Sequence, residues 1–550
     1  MKKIVHILCI LLVQIGYSQN SISEVNKLVL TAKVWGFLKY YHPNVADGSR
    51  NWDEQLVQIL PQIEKAQTAT DFSKIMEDWV DSLGAVRQVN SIPSKDIVYY
   101  ERNFDLSWID QKVFFSKELS QKLRFIENNR YQGVPFYVGQ TEAGNVFLMN
   151  ENYSDFKWEK TDLRLLALFR YWNLIEYFYP YKYLMDYKWD KSLEEVLPNF
   201  LKVKNEDDFK IAMLKLVVRI SDTHSGFYYK LSKDMGKMRN FLPVKCIILD
   251  QKMVVSEILS DTLAQHFDIK IGDVISKVDN KTVSQIIRDK RDYISASNES
   301  AYLMNLASEI SSNYNDFMDL EITHNNITSN KRIECFDYNI SHSNEFKKTK
   351  KEKYYVMQDN IGYVNMGKLK VSEVPDMISK LRDTQAIILD SRNYPKGANF
   401  EISNFLNSSP KAFAKYTAPD LSYPGKFYWQ KELHICGTEN KNNYKGKVII
   451  LVNENSISQS EWATMCFQTA DDATVIGSQT AGADGNTSHI DFVKDYDAPF
   501  SGIGVYYPDG KETQRIGIIP DIKVKRTILG IQQGKDEILD WAILFIKENK

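Results

Sequence analysis

Hydrophobic positions along this 550-residue chain follow three rhythms. Over residues 23–84 and again over 162–220, apolar side chains recur at three- and four-residue intervals. Examples are Trp172, Ile175 and Tyr179, then Leu193, Val196 and Leu197, then Ile211, Leu214 and Val218. That spacing predicts helices gathered into small bundles. The two stretches read as copies of one pattern, since VWGFLKYYHP (Val34–Pro43) matches YWNLIEYFYP (Tyr171–Pro180). One constant offset, the interval from Trp52 to Trp189, carries Trp35 onto Trp172, Tyr40 onto Tyr177 and Asp53 onto Asp190. The same offset carries Leu60-Pro61 onto Leu197-Pro198, Asp71-Phe72 onto Asp208-Phe209 and Met76 onto Met213, without a gap. A duplicated helical unit is the expectation. Next comes a mixed region, with a strand over Lys252–Ile258, a short helix over Ser260–Phe267 and a Gly-Asp turn within Ile269–Val283. From Tyr354 the rhythm alternates. Short apolar runs (Ile361–Val364, Ala386–Leu389, Val448–Val452, Thr474–Ile476) predict strands, separated by helices over Val374–Arg382, Ala398–Leu406 and Glu461–Ala470. A closing helix is predicted over Gly530–Asn549, with Ile538, Trp541, Ala542 and Phe545 on one face.

The layout is therefore multidomain α+β. Residues 1–19 read as a signal peptide: Lys2 and Lys3, an apolar run Ile4–Ile15, then small or polar residues before a cleavage site near Gln19. The run is short for a membrane span, and Cys9 lacks the small residues that precede a lipoprotein cysteine, so export without stable membrane insertion is expected. Residues 20–150 hold copy one and a connector, 151–240 copy two, 241–340 a candidate binding module, 341–353 a linker and 354–550 an α/β catalytic domain. Basic and acidic residues nearly balance, 69 against 71, and the single basic run, KKTKKEK at 347–353, reads as solvated linker, which argues against nucleic acid. Beyond the leader, Cys246, Cys335, Cys436 and Cys466 are too widely spaced for a metal knuckle or a disulfide scaffold; a bridge between Cys246 and Cys335 is the one pairing considered. No metal and no cofactor is expected.

Candidate chemistry concentrates in Val448–Asn486, VIILVNENSISQSEWATMCFQTADDATVIGSQTAGADGN. A serine at a strand-to-helix junction has its hydroxyl at an exposed corner, where the first helical N–H groups converge. Ser456, Ser458 and Ser460 compete for that place, and a helix N-cap is the plain alternative for any of them. A serine nucleophile needs a base. Of eight histidines, His224 within ISDTHSG (Ile220–Gly226) lies in copy two, where copy one has Ala85-Val86-Arg87-Gln88. The structural residues of the repeat match and these do not. Copy two is thus expected to deliver the base, with copy one an appended unit for docking or substrate access, apart from the serine. His42 has Tyr179 as its counterpart, which favours a packing role.

These segments resemble the S41 serine peptidases, the tail-specific or C-terminal-processing proteases and their tricorn-core relatives. In that family the nucleophile lies three residues before a glutamate that starts the helix, so Glu461 nominates Ser458, and Gln459 supplies one oxyanion N–H. ILDSRNYPKG (Ile388–Gly397) resembles the family's second oxyanion loop and nominates Gly397. GVYYPDGKETQRIGIIPD (Gly504–Asp521) resembles its closing motif. Members of the Ser-Lys type carry lysine 25 residues beyond the serine; here that position is Ala483, and no lysine occurs between Lys447 and Lys494. The tricorn type, which supplies a histidine from upstream, is the nearer resemblance and implies His224, with His489 the runner-up. Its third member, a glutamate, falls on Gln514; Glu512 and Asp222 are the alternatives, and Thr223 a supporting hydrogen-bonding group.

The resemblance implies a crotonase-like (ClpP-type) spiral fold for the catalytic domain. It implies a PDZ-like domain for the module, whose groove would take an extended protein or peptide substrate, often by its C-terminus. The implied function is that of an exported, periplasmic or secreted serine endopeptidase working through a Ser458 acyl-enzyme and a histidine base. The alternative is a catalytically weak or inactive relative that binds exported peptides or apolar ligands. Nothing in the sequence sets an oligomeric state.

Overall fold

Helices arise where the apolar spacing places them, and most start at a side-chain cap. In the computed structural model, which describes residues 21–89, 97–151, 155–229, 239–337, 352–493 and 495–549, α1 (Glu24–Tyr41) starts at Ser23 and α2 (Trp52–Lys65) at Asn51. A reciprocal Thr68/Asp71 capping box opens α3 (Ala69–Ser82). Copy two repeats them as α4 (Thr161–Phe178), α5 (Trp189–Leu201) and α6 (Glu206–Val218). The expected leader and all but the last two residues of the expected linker lie outside the described residues.

The copies pack as a pseudo-symmetric pair. Within copy one, Trp35 Nε1 donates to the Trp52 carbonyl at 3.2 Å and Trp52 Nε1 to the Trp35 carbonyl at 3.0 Å. Trp172 and Trp189 exchange the same two bonds in copy two. Between copies, Lys33 pairs with Asp190 at 2.8 Å and its counterpart Arg170 pairs with Asp53. Gly36 and Asn173 occupy equivalent positions where the helices cross; a Cβ at Gly36 would lie 1.8 Å from Asn173 Oδ1.

Copy one does not stand apart as the sequence suggests. α1 and α4 are buried on nearly every side, which suits helices at the centre of an assembly rather than on its surface. One apolar core runs from Ile22 through both copies to Ile490–Phe500 and Tyr506. The connector joins in: Tyr99–Tyr100 pairs with Phe427–Tyr428, and Arg130 Nε donates to the Ser422 carbonyl at 2.7 Å.

The 241–340 region holds β1 (Val244–Leu249), β2 (Lys252–Ile258), β3 (Val274–Val278), α7 (Glu299–Ile310), β4 (Phe317–His324) and β5 (Ile327–Glu334). Its strands pair in the order β5-β4-β3-β2-β1 around a core of its own. Cys246 and Cys335 are free thiols, each pushed up to about 12 by burial.

The last region carries β6 (Tyr354–Met357), β7 (Ile361–Asn365), β8 (Ala386–Asp390), α8 (Asn399–Leu406), β9 (Lys411–Pro419) and β10 (Lys447–Val452). After these come α9 (Gln459–Phe467), β11 (Ala473–Gly477), β12 (Ile522–Lys523) and α10 (Glu537–Glu548). The sheet order is β6-β7-β8-β10-β11-β12, antiparallel in the first pair and parallel thereafter. Central strands covered on both faces explain the unbroken apolar runs Ala386–Leu389 and Val448–Val452. The predicted closing helix is broken at Gly534 (φ +66°); α10 buries Ile538, Ala542 and Ile546 and leaves Trp541 half exposed.

Candidate active site

The turn after β10 distinguishes the three serines. Ser456 and Ser460 are wholly buried, and both hydroxyls donate to the Ser391 carbonyl, fastening the turn to the loop after β8. Ser458 alone is half exposed. It directly precedes α9 with φ +55° and ψ −120°, a conformation that costs a non-glycine residue roughly 1–3 kcal/mol and persists only where the surroundings impose it. Here they do. The Ser458 N–H donates to the Ala483 carbonyl at 2.9 Å and to Glu461 Oε2 at 3.2 Å. Glu461, itself buried, also accepts from Thr480 Oγ1, from Gly482 N–H at 2.8 Å and from Ala483 N–H at 3.0 Å. Burial pushes its carboxyl up to about 7 against these four donors.

Gln459 opens α9, where helical N–H groups lack intrahelical partners. Its side chain donates to Asn399 Oδ1 at 3.3 Å, which joins the Ser458 turn to the start of α8. Gly397, just before α8, has φ +81°, and a Cβ there would meet nothing within 4 Å. Backbone conformation, not space, calls for glycine at this point.

His224 sits in the turn after α6. Its Nδ1 lies 2.9 Å from Ser501 Oγ, and its N–H donates to Asp222 Oδ1 at 3.1 Å. Asp222 is fully buried. It also accepts from Ser501 N–H at 2.7 Å, Ser501 Oγ at 3.0 Å and Gln514 Nε2 at 3.2 Å. A carboxylate only accepts, so the single Ser501 hydroxyl proton belongs on Asp222 and its lone pair on His224 Nδ1–H. This assigned tautomer leaves Nε2 as the basic nitrogen. Burial lowers the imidazole pKa; Asp222 opposes the shift and His489 adds to it.

The His224 and Ser458 turns are fastened to one loop, Thr480–Ala483. Thr223 Oγ1 donates to the Ala481 carbonyl at 3.1 Å, Ala481 N–H to the Ser456 carbonyl at 3.0 Å, and the Ala483 carbonyl takes Ser458 N–H. Where the Ser-Lys type would have lysine, Ala483 is buried with both backbone groups engaged. Gln514 is fully buried and contacts Asp222 rather than the imidazole; its Oε1 has no partner among the described residues. Glu512 lies elsewhere, accepting from Tyr183 at 2.8 Å and Tyr100 at 3.4 Å, with Arg102 at 3.5 Å. His489 is largely exposed and faces Asp497 at 3.4 Å. Ser501 has no sequence signal: it lies 277 residues from His224 in a two-residue strand. One helical turn beyond Ser458, Trp462 packs against Phe413, Tyr416 and His434, with ring centroids 4.5, 5.2 and 5.2 Å away. The described residues include no group of three or more His, Cys, Asp or Glu suited to a metal ion, and no helix among them is long and apolar enough to cross a membrane.

A strained serine thus stands before α9, and a half-buried histidine linked through Ser501 to the buried Asp222 lies on a turn tied to the same loop. Residues 360–524 match the family model described as Peptidase family S41. That stretch, which contains Gly397, Ser458 and Gln459, is similar to the S41 peptidases, and the multidomain α+β fold resembles that of solved structures. Mature CPAF complexed with lactacystin matches at 13% identity with a TM-score of 0.54, covering 72% of this chain and 99% of that one. A second structure of mature CPAF matches at 13% identity and 0.53, covering 70% and 97%. No curated protein matches the chain.

Proposed function

We propose that the protein is an exported serine endopeptidase that cleaves proteins or peptides through a Ser458 acyl-enzyme. The observation that carries this reading is the hydrogen-bonded series His224 Nδ1, Ser501 Oγ, Asp222, Gln514 Nε2, which leaves one basic nitrogen on the side away from the carboxylate. Ser458 Oγ attacks the scissile carbonyl while His224 Nε2 takes its proton. The imidazolium keeps Nδ1–H on Ser501, whose hydroxyl transmits the stabilising influence of Asp222. Gly397 and Gln459 N–H groups, with the N-terminus of α9 behind them, hold the oxyanion. The proton then passes to the leaving amine, and water, deprotonated by the same histidine, hydrolyses the ester.

Asp222 takes the part of the acidic member in this scheme. Gln514 orients it and adds no charge. The α/β region is read as crotonase-like and the 241–340 region as PDZ-like, the latter presenting substrate in extended form. The leader motif at 1–19 supports export.

A fluorophosphonate probe tests the reading. Labelling at Ser458 that disappears in Ser458→Ala, with peptide hydrolysis lost in Ser458→Ala and His224→Ala, is the expected result. Folded protein that stays unlabelled overturns it.

A further inference from the structure

The 241–340 region reaches into the catalytic machinery through four residues just before α7. We propose that Ser297 is a positioning residue for the histidine base, clamping the backbone of Thr223 so that His224 is held in its half-buried place against Ser501. This rests on the role given to His224 above.

Ser297 is 1% exposed. Its Oγ accepts from Thr223 N–H at 2.8 Å, and its own N–H donates to Thr223 Oγ1 at 2.8 Å, so the two residues close a reciprocal ring. Thr223 immediately precedes His224, and its dihedral angles set where the imidazole goes. Its hydroxyl proton is already committed to the Ala481 carbonyl, leaving its oxygen to accept from Ser297. Neighbours of Ser297 extend the grip. Ser295 Oγ donates to the Asp222 carbonyl at 2.8 Å. Asn298 Oδ1 caps α7 by accepting from Ala301 N–H, while Nδ2 donates to the Thr480 carbonyl at 2.9 Å and the Arg515 carbonyl at 3.1 Å. Arg515 Nε returns a bond to the Ser297 carbonyl at 2.9 Å. One turn thus holds the base segment, the loop behind Ser458 and the residue after Gln514. α7 roots that turn in the second core through Tyr302, Leu306 and Ile310.

A plain packing contact would stabilise the junction without influencing the imidazole. A positioning contact does more, because loosening Thr223 opens the half-buried His224 further to water. The charged and titratable groups facing the ring are Asp222 on its own segment and His489, itself beside Asp497; Arg515 is the charged group against Ser297. None of these is removed when Ser297 changes. The expected consequence is a His224 titration that moves upward, towards the ordinary histidine value of ~6.5, as desolvation is relieved.

The test uses the full chain. Histidine ring resonances are titrated in a Ser458→Ala background, with His224 assigned by its loss in His224→Gln. Adding Ser297→Ala, or the isosteric Thr223→Val, should raise the His224 midpoint by about 0.5 unit or more, the scale of a partial loss of desolvation. In the active chain, Ser297→Ala should lower kcat about 10- to 100-fold with KM nearly unchanged, as expected for a misplaced base. Ser297→Thr, which keeps the hydroxyl, should recover most of that loss. A folded Ser297→Ala and a folded Thr223→Val with unmoved His224 midpoints overturn the proposal, as does a kcat loss that Ser297→Thr fails to recover. The titration needs no turnover. A chain without peptidase activity whose His224 midpoint still moves therefore counts against the proposed function and for the clamp.

Discussion

Replacing Ser501 is the sharpest probe of the relay. Its hydroxyl lies 2.9 Å from His224 Nδ1 and 3.0 Å from Asp222 Oδ1, and the residue is wholly buried. Ser501→Ala leaves Asp222 with three donors, the N–H groups of Ser501 and His224 and the Gln514 amide, so the carboxylate stays satisfied. Folding stability should therefore fall by only about 1 kcal/mol. The imidazolium, in contrast, loses the acceptor that fixes its tautomer and links it to charge. A hydrogen bond to a charged group contributes about 1.5–3 kcal/mol, which at ~1.4 kcal/mol per decade is roughly a 10- to 150-fold loss of kcat. KM should hardly change, because the group acts only as charge develops. Weaker coupling to Asp222 also disfavours the protonated ring, so the acid limb of kcat should move to lower pH beneath a lower plateau. The assay is a pH series of kcat on a fluorogenic peptide, with Ser501→Val run in parallel because its added methyl groups exclude a substitute water. Retention of kcat within about threefold in Ser501→Val would refute the relay, since about 0.7 kcal/mol is below what any hydrogen bond to a forming charge contributes.

Two further outcomes follow from the same geometry. Gln514→Glu should lower kcat at pH 7 by tenfold or more, although a glutamate is what the family pattern has there, because a second carboxyl against buried Asp222 forces one of the pair to hold a proton; an increase in kcat would show that Gln514 acts on the imidazole directly. His42 is buried, caps Asn44 N–H through Nδ1 at 3.2 Å, and burial lowers its pKa to about 4. The unfolded chain takes up that proton first, so stability should drop as pH falls from ~6.5 to 4, by up to about 3 kcal/mol. Denaturant melts of wild type and of His42→Asn, which keeps the cap, should show that acid penalty shrink in the variant; equal penalties would contradict it.

Much of the architecture was legible because its signals are local. A duplication leaves matched tryptophans at a fixed offset, and those residues do the same work twice, Trp35 with Trp52 and Trp172 with Trp189. Buried parallel strands advertise themselves as apolar runs, as in Val448–Val452. The glutamate three residues beyond Ser458 could single out one serine of three because its carboxylate fixes the turn. The independence attributed to copy one was not supported, for a definite reason. Apolar spacing gives the faces a helix can bury, and α1 and α4 bury nearly all of theirs, partly against each other.

Sequence alone determined the periodic elements, the repeat, the strand-to-helix turn and the family of motifs around it, all encoded within a few residues of themselves. Tertiary structure alone decided the company of His224. Ser501 and Gln514 reach Asp222 from 279 and 292 residues away, and Ser297 reaches Thr223 from 74 residues away. Such contacts leave no periodic trace, because a hydroxyl or amide that serves one buried partner needs only to arrive there, and the fold brings it.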